Sequence, residues 1–196
     1  MIDARTWIEN FVATVADRSA ELTDLDRRAG DGDFGTNLRA ALRRASANLG
    51  SVTSTAPDAV FTAVSDGFLD TGGTSGPLFG MWFREFSRSS SLTTASLAAA
   101  AGGGLAVVQR LGKAEVGHKT MVDAMAPAAS ALSDAAKRAE SLPAALRRAA
   151  DAAHAGAAST SQLLAKRGRA SYVGENARGV TDPGALTVAL FFEAAA

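Results

Sequence analysis

The sequence predicts an all-α protein, and three observations support this. Hydrophobic residues make up 47% of the 196-residue chain but aromatic residues only 6%, because alanine supplies much of the apolar content. Alanine is the best helix former and is depleted from strands. Apolar residues also recur at intervals of three and four, the period of one helix face. Finally, no stretch alternates apolar and polar residues with the period of two that a half-buried strand requires.

Each of the first four helices is predicted by a stripe of apolar residues. In chain order, these stripes are Trp7, Phe11 and Val15; Leu38, Leu42 and Leu49, in a helix over about 35–49; Phe61, Val64 and Phe68, after Pro57; and Phe79, Phe83 and Phe86, after the glycine-rich run 72–77.

The last four helices are predicted mainly from their boundaries. The fifth follows Thr93 and reaches about Leu111, and the sixth runs from about Lys119 to Ala139. The seventh starts at Ser141 as N-cap, with Pro143 in its first turn, and ends near Lys166, while the eighth opens at 182–184 and reaches the C-terminus. Short connections favour antiparallel neighbours. We therefore expect one domain, residues 1–196, in which eight helices form a bundle.

Composition excludes several functional classes. The 20 Lys and Arg residues balance the 20 Asp and Glu residues, so there is no excess positive charge for nucleic acid or an anionic membrane. The absence of cysteine excludes disulfides, thiolate metal sites and a cysteine nucleophile. The N-terminus is charged where a signal peptide is apolar, and the most apolar stretch, 97–108, is too short to span a bilayer. We expect a cytoplasmic protein without nucleic-acid or membrane partners.

The first polar cluster, residues 26–37, is acidic. Asp26, Asp31 and Asp33 place three carboxylates within eight residues, separated by glycines. Two like charges 4 Å apart repel by roughly 4 kcal/mol at an effective dielectric of 20, and a divalent cation such as Mg²⁺ relieves that repulsion. The glycines and the following helix N-terminus suit an anion. A polar turn with a helix cap is the alternative, whereas an EF-hand is excluded because its twelfth position is Leu42.

The second cluster, residues 71–77, combines glycines with hydroxyls at a helix start. Thr74 and Ser75 suit phosphate binding through backbone N–H and side-chain O–H groups. Close helix packing or an ordinary capped turn is the alternative. A Walker P-loop is absent, because the Gly-Lys pair at 112–113 is followed by Ala114.

Two further loops complete the set. The loop 112–121 carries cations, glycines and Met121, which could pack on a base. The loop that begins at Lys166 carries Arg169, whose guanidinium offers a fork of donors to phosphate. For this last loop, a solvated segment before a capped final helix is the alternative. The two histidines, His118 and His154, form no clear metal pair, and no Ser-His-Asp triad is evident. Together the four loops predict a Mg²⁺-nucleotide site at one end of a helical bundle.

Four motifs in order carry a resemblance to a known family. They are GDGDxGxN, GGTSGPL, GKAEVGxKTMxDAxAP and GRASYxGExxxGxxDPGA. This order resembles the nucleotide-binding L subunit of dihydroxyacetone kinases over essentially the whole chain. The resemblance implies a closed barrel of eight antiparallel helices that holds ADP or ATP with two Mg²⁺ at one end.

The resemblance also implies a role for each matching position. The metal ligands would be Asp26, Asp31 and Asp33; the phosphate contacts Phe34, Gly35, Thr36, Asn37, Thr74, Ser75 and Arg169; the adenine pocket Gly112 and Met121; and the closing segment beside the last helix Asp182, Pro183 and Gly184.

The implied activity is phosphoryl transfer to dihydroxyacetone, a ketose held by a separate K subunit. In one branch of the family ATP is the donor, usually with fused K and L domains. In the other, the L subunit keeps ADP as a cofactor that an M subunit of the phosphotransferase system rephosphorylates, and a stand-alone L-sized chain favours this branch.

Two residues depart from the family pattern: Phe34 replaces a histidine and His118 replaces an acid. Both favour an alternative, a non-enzymatic nucleotide-binding regulator. A kinase component that uses ATP to phosphorylate another small ketose is a further alternative.

Overall fold

Helices form the regular structure of the chain. The computed structural model describes residues 2–196, with Arg169 described by its backbone alone. This part of the chain contains no strand, and no helix in it combines the length and hydropathy of a membrane span. Its nine α-helices are α1 (Ala4–Asp17), α2 (Ser19–Ala29), α3 (Phe34–Gly50), α4 (Pro57–Leu69), α5 (Ser75–Phe86), α6 (Thr94–Gly112), α7 (Val122–Lys137), α8 (Leu142–Ser159) and α9 (Pro183–Glu193), and three short 3₁₀ helices, Thr160–Gln162, Arg169–Tyr172 and Gly174–Ala177, separate α8 from α9.

The predicted all-α class is confirmed, with one α-helix more than periodicity predicts. A single residue separates α2 from α1, and only Leu22, Asp26 and Ala29 of α2 are buried, too few for a recognisable stripe. The helix predicted to end near Lys166 ends instead at Ser159. There the hydroxyls of residues 159–161 donate to carbonyl oxygens three residues earlier, which competes with continued helix.

The helices form a closed ring. Consecutive helices from α2 to α9 pack against each other, and α9 also contacts α1 and α2. Pairs of contacts give their directions. The Asn48 side chain of α3 donates to the carbonyl of Ala63 in α4 (3.1 Å), whereas Gly67, later in α4, packs against Ala45, earlier in α3. The contacts between α4 and α5 run in opposite directions in the same way. Neighbours therefore run antiparallel, so alternate loops gather at the same end of the bundle.

The last helix, α9, is apolar on all sides. Every residue from Pro183 to Phe192 is buried, as in a helix enclosed by others. The Phe191 ring stacks on Trp7 with centroids 4.4 Å apart, and the Trp7 indole N–H donates to the carbonyl oxygen of Phe191 (2.6 Å). This aromatic core fixes α9, and with it the position of its N-terminal end.

Small residues allow the helices to approach closely. A Cβ at Gly156 of α8 would lie 2.2 Å from the carbonyl oxygen of Asp123 in α7, and one at Gly67 of α4 would lie 2.4 Å from the backbone nitrogen of Ala45 in α3. Real Cβ atoms do not come this close to backbone, so both crossings require glycine. The abundance of alanine and glycine thus reflects close helix packing.

Candidate functional site

One cavity at an end of the bundle joins segments that are far apart in sequence. Its walls come from the end of α2, the starts of α3, α5 and α9, the end of α6, and the loops that precede α7 and α9. The predicted site residues that line it are Asp26, Asp31, Asp33, Phe34, Asn37, Thr74, Ser75, Gly112, Met121, Asp182, Pro183 and Gly184.

The remaining predicted residues are placed differently. Gly35 is buried against α2, where a Cβ would lie 2.6 Å from a threonine hydroxyl oxygen. Thr36 is exposed on the same turn, and the side chain of Arg169 lies outside the described residues. Phe34 and Asn37 are three residues apart, so they share the helix face that lines the cavity.

The carboxylate of Asp26 is buried. Asp26 belongs to the last turn of α2 rather than to a loop, and it is 6% exposed. Its Oδ2 accepts a hydrogen bond from the N–H of Phe34 (2.7 Å). Its Oδ1 packs so closely against Gly30 that a Cβ added to that glycine would lie only 2.4 Å from the oxygen. Burial raises the pKa of Asp26, the Phe34 N–H lowers it, and the charges of Asp31 and Asp33 raise it further. The carboxylates of Asp31 and Asp33 therefore lie close enough to Asp26 to repel its charge.

These carboxylates fit a hard cation as part of a ligand set. Asp31 and Asp33 are exposed, on a turn where Gly32 has a φ of +81° and the N–H of Asp33 donates to Asp31 (3.3 Å). Within residues 2–196, no three acidic or histidine side chains are arranged to hold a metal ion by themselves. Mg²⁺ usually takes one or two carboxylates and completes its shell with phosphate oxygens and water. The set therefore suits Mg²⁺ that arrives with a phosphate.

Three helices begin at this cavity, α3 at Phe34, α5 at Ser75 and α9 at Pro183. The first-turn N–H groups of a helix lack intrahelical acceptors, and the positive end of its dipole favours an anion. At α9, Pro183 has no N–H and Asp182 accepts the N–H of Ala185, so the N–H groups suited to an anion are those of α3 and α5. The start of α3 adjoins the loop before α5, because a Cβ at Gly73 would lie 3.1 Å from the side-chain nitrogen of Asn37. N–H donors and hydroxyls therefore lie beside the carboxylates, as a metal-bound phosphate requires.

Another part of the wall is apolar. Met121 there is 7% exposed, and a Cβ at Gly184 would lie 3.5 Å from the Cβ of Met121. An apolar wall with glycines suits a flat ring such as a purine. The residues of this wall are Leu78, Val108, Gly112, Ala114, Met121, Val122 and Gly184.

Lys119 lines the cavity but has no role in the sequence predictions. It is 1% exposed, and its ammonium donates to the carbonyl oxygens of Thr160 (2.6 Å) and Val180. Burial lowers the pKa of Lys119, while the charges of Asp182 and Asp123 raise it. A lysine before a helix is ordinarily solvated, so its sequence position did not indicate this burial.

Asp123 holds the loop before α7. Its two carboxylate oxygens accept hydrogen bonds from the N–H groups of Gly117 (2.5 Å) and Thr120 (2.8 Å), and the residue is 4% exposed. Because Lys119 has a φ of +60°, α7 begins at Val122 rather than at Lys119 as predicted. The sequence analysis assigned no role to Asp123, because an acidic residue in the first turn of a helix is common.

The two departures from the family pattern occupy different places. Phe34 lines the cavity beside the carboxylates. His118 is not among the described residues that line it, and its Nδ1 accepts a hydrogen bond from the N–H of Glu115 (3.2 Å). Phe34 is thus the departure that lies in the cavity wall.

Asp182 caps α9 at the edge of the cavity. Its Oδ2 accepts a hydrogen bond from the N–H of Ala185 (2.8 Å). Burial raises the pKa of Asp182 to about 7 against the opposing effects of the Ala185 N–H and the Lys119 charge, and the charge of Asp123 contributes to the rise.

We expect Asp182→Asn to stabilise the nucleotide-free protein in a pH-dependent way. Wild-type Asp182 keeps its proton up to about pH 7 when folded but loses it near pH 3.8 when unfolded. The free energy of unfolding of wild type, relative to that of the variant, therefore falls as pH rises from about 4 to about 7, by at most about 1.4 kcal/mol per pH unit. Above about pH 7 the difference between the two proteins no longer changes with pH. Unfolding in urea at pH 5 to 8 measures this.

Asp134→Asn, at an exposed carboxylate on α7, is the control and should show no such trend. A constant difference between Asp182→Asn and wild type from pH 5 to 8 would contradict the raised pKa.

A family model described as "DAK2 domain" matches residues 28–196. The chain is 35% identical over 196 residues to "PEP-dependent dihydroxyacetone kinase, ADP-binding subunit DhaL" of Escherichia coli, covering 94% of this chain and 92% of that protein. It is also 35% identical over 194 residues to L-erythrulose 1-kinase of Mycolicibacterium smegmatis, covering 95% of this chain and 34% of that protein. Asp26 precedes the matched region of the family model.

The fold is similar to that of the dihydroxyacetone kinase from C. freundii, whose crystal structure contains AMP-PNP and Mg²⁺. The TM-score is 0.73 and the sequence identity 28%, over 98% of this chain and 33% of that one. The chain therefore spans about a third of that longer kinase.

Proposed function

The chain belongs to the DAK2 domain family, and from that premise we propose that it is the nucleotide-binding subunit of a dihydroxyacetone kinase. The observation that carries the proposal is the single cavity in which carboxylates, the N-termini of α3 and α5 and an apolar wall meet. Those features match the metal, phosphates and base of a nucleoside diphosphate or triphosphate. The ADP-binding subunit named for E. coli and the AMP-PNP complex from C. freundii support the same ligand class.

In this proposal, each wall of the cavity binds one part of the nucleotide. Bound Mg²⁺, two ions by the family resemblance, neutralises phosphate charge. The metal would be held by Asp26, Asp31 and Asp33; the phosphates by Phe34, Asn37, Thr74, Ser75 and Arg169; the base by Gly112 and Met121; and the edge beside α9 by Asp182, Pro183 and Gly184. Gly35 and Thr36, which the family resemblance also assigns to the phosphates, do not line the cavity, so in this proposal they act only as part of the first turn of α3.

The reaction is transfer of a phosphoryl group to dihydroxyacetone. Phosphoryl transfer depends chiefly on positioning and on charge stabilisation, and the cavity residues supply both. The ketose would be held by a K subunit, so the chain alone is inactive. The phosphotransferase-system route, with resident ADP recharged by an M subunit, agrees with similarity over 92% of a PEP-dependent relative's length.

A second candidate is an ATP-dependent kinase component for another small ketose. The observation in its favour is the 35% identity to an enzyme named L-erythrulose 1-kinase. A nucleotide-binding regulator without turnover is the third, favoured by Phe34, whose apolar ring lines the cavity beside the carboxylates.

The deciding experiment begins with the purified protein. We expect denaturation to release one ADP per chain together with Mg²⁺. We then expect phosphorylation of dihydroxyacetone when the protein is combined with a K subunit, an M subunit, phosphoenolpyruvate and the general phosphotransferase proteins.

Each other result selects a different assignment. Turnover with ATP and a K subunit alone would favour the ATP-dependent component, and assaying L-erythrulose beside dihydroxyacetone tests the ketose. Bound nucleotide without turnover in either mixture would favour the regulator. No affinity for ADP or ATP in the presence of Mg²⁺ would refute the proposal.

A further inference from the structure

The chain between α8 and α9 forms a closed loop, which we call the strap (residues 161–181). Its two ends meet at a narrow neck. There the N–H of Asp182 donates to the hydroxyl oxygen of Thr160 (2.8 Å), and the N–H of Gly179 donates to the carbonyl oxygen of Ser161 (2.8 Å). Long loops in a compact domain are often functional.

A buried cation lies at this neck. The ammonium of Lys119 donates to the carbonyl oxygens of Thr160 and Val180, one on each side. Lysine is almost never fully buried without partners, and Lys119 is buried with a left-handed φ of +60°. Because L residues adopt that conformation at a cost, the surrounding contacts must hold it.

The strap connects two walls of the cavity. Ala177 and Val180 pack against Ala29 in the last turn of α2, the turn that also carries Asp26. On the other side, the N–H of Lys166 donates to the carbonyl oxygen of His118 (3.2 Å). Between these attachments the strap contributes Arg167, Gly168 and Ala170 to the cavity lining.

We infer that Lys119 is a positioning residue that closes the neck of the strap and thereby sets how long a bound nucleotide stays in the cavity. The inference rests on the proposed function for the identity of the ligand. The hydrogen bonds from the Lys119 ammonium to the two carbonyl oxygens are charge-assisted, so they are stronger than the neutral backbone hydrogen bonds beside them. Losing them loosens the strap at its base, and a loosened strap releases the ligand sooner.

The test compares Lys119→Met with Lys113→Met. Lys113 is an exposed cation on the same loop whose φ of +48° is also left-handed, so the control makes the same change in a similar backbone without touching the neck. The first readout is hydrogen exchange of the nucleotide-free protein, resolved by peptide. The second is the dissociation rate of ADP with Mg²⁺, measured by chase with excess ADP.

For Lys119→Met we expect amides of the strap to exchange on the order of ten-fold faster, while amides of α3 to α5 keep wild-type rates. We expect ADP to dissociate faster by a similar factor, with its association rate little changed. Lys113→Met should match wild type in both measurements. Faster exchange spread evenly over the whole chain, or unchanged exchange in the strap, would overturn the inference.

A second variant covers the case in which Lys119→Met does not fold. Thr160→Val removes the acceptor for the Asp182 N–H at the same neck, and we expect a smaller increase confined to the strap. An even increase or none would again count against the inference. Because exchange is measured without nucleotide, failure of wild type to bind ADP would refute the proposed function and leave the test of the neck intact.

Discussion

Asp31→Asn and Asp33→Asn are each expected to lower the affinity for ADP in the presence of Mg²⁺ by at least about 100-fold. Losing a residue that merely orients a metal ligand typically costs 10–100-fold in affinity, so losing a ligand should cost at least the upper value. Both side chains are exposed and line the cavity, which makes a folding defect a poor explanation for the loss. Isothermal titration with ADP at saturating Mg²⁺ measures the effect.

Removing Mg²⁺ with EDTA makes the test sharper. Without the metal, the carboxylates only repel the phosphates, so the variants should bind ADP at least as tightly as wild type. Asp24→Asn is the matched control: its carboxylate lies on α2 in an exposed pair with Arg28 (3.7 Å). It removes the same charge but should leave the Mg²⁺-dependent affinity unchanged. An equal loss of ADP affinity with and without Mg²⁺ would show that Asp31 and Asp33 do not hold a metal.

Asp26 is a less suitable residue for testing metal binding by substitution. It is buried, accepts the Phe34 N–H and packs against Gly30. Its substitution would disturb the turn between α2 and α3 as well as any metal, so the two causes could not be separated.

The parts of the fold that the sequence predicted have strong local signals. Pro57 starts α4 as expected, and Thr93 caps α6 through reciprocal hydrogen bonds with Ser96. The helix α2 had a weaker signal, because its N-cap, Arg18, makes no side-chain capping bond and its buried face is short and includes the charged Asp26. Local capping chemistry and periodicity are visible in a sequence, whereas a helix stabilised by long-range packing is not.

The candidate site was predictable to the extent that it consists of loops at helix ends. Glycines among carboxylates or hydroxyls mark such loops, and Asp31, Thr74 and Asp182 line the cavity. Lys119 and Asp123 were missed because their roles depend on burial by distant segments. The partners of Lys119 lie 41 and 61 residues away, and no local pattern encodes such contacts.

Asp123→Ala is expected to destabilise the protein by about 3 kcal/mol or more. The substitution leaves the N–H groups of Gly117 and Thr120 without their acceptor, and it removes one of the two carboxylates that face the buried ammonium of Lys119. A buried donor left unsatisfied costs about 1–3 kcal/mol, and breaking up a buried charge group about 3–5 kcal/mol. Urea unfolding of the nucleotide-free protein measures the loss.

The same helix supplies the control for this prediction. Asp134 of α7 forms an exposed pair with Lys137 (3.2 Å), so Asp134→Ala should cost less than about 1 kcal/mol. Equal losses for the two variants would mean that the Asp123 carboxylate does not hold the loop. Because that loop carries Met121 into the apolar wall, Asp123→Ala should also weaken ADP binding at temperatures where the protein stays folded. Asp123, although absent from the cavity lining, would then couple the stability of α7 to the shape of the base pocket.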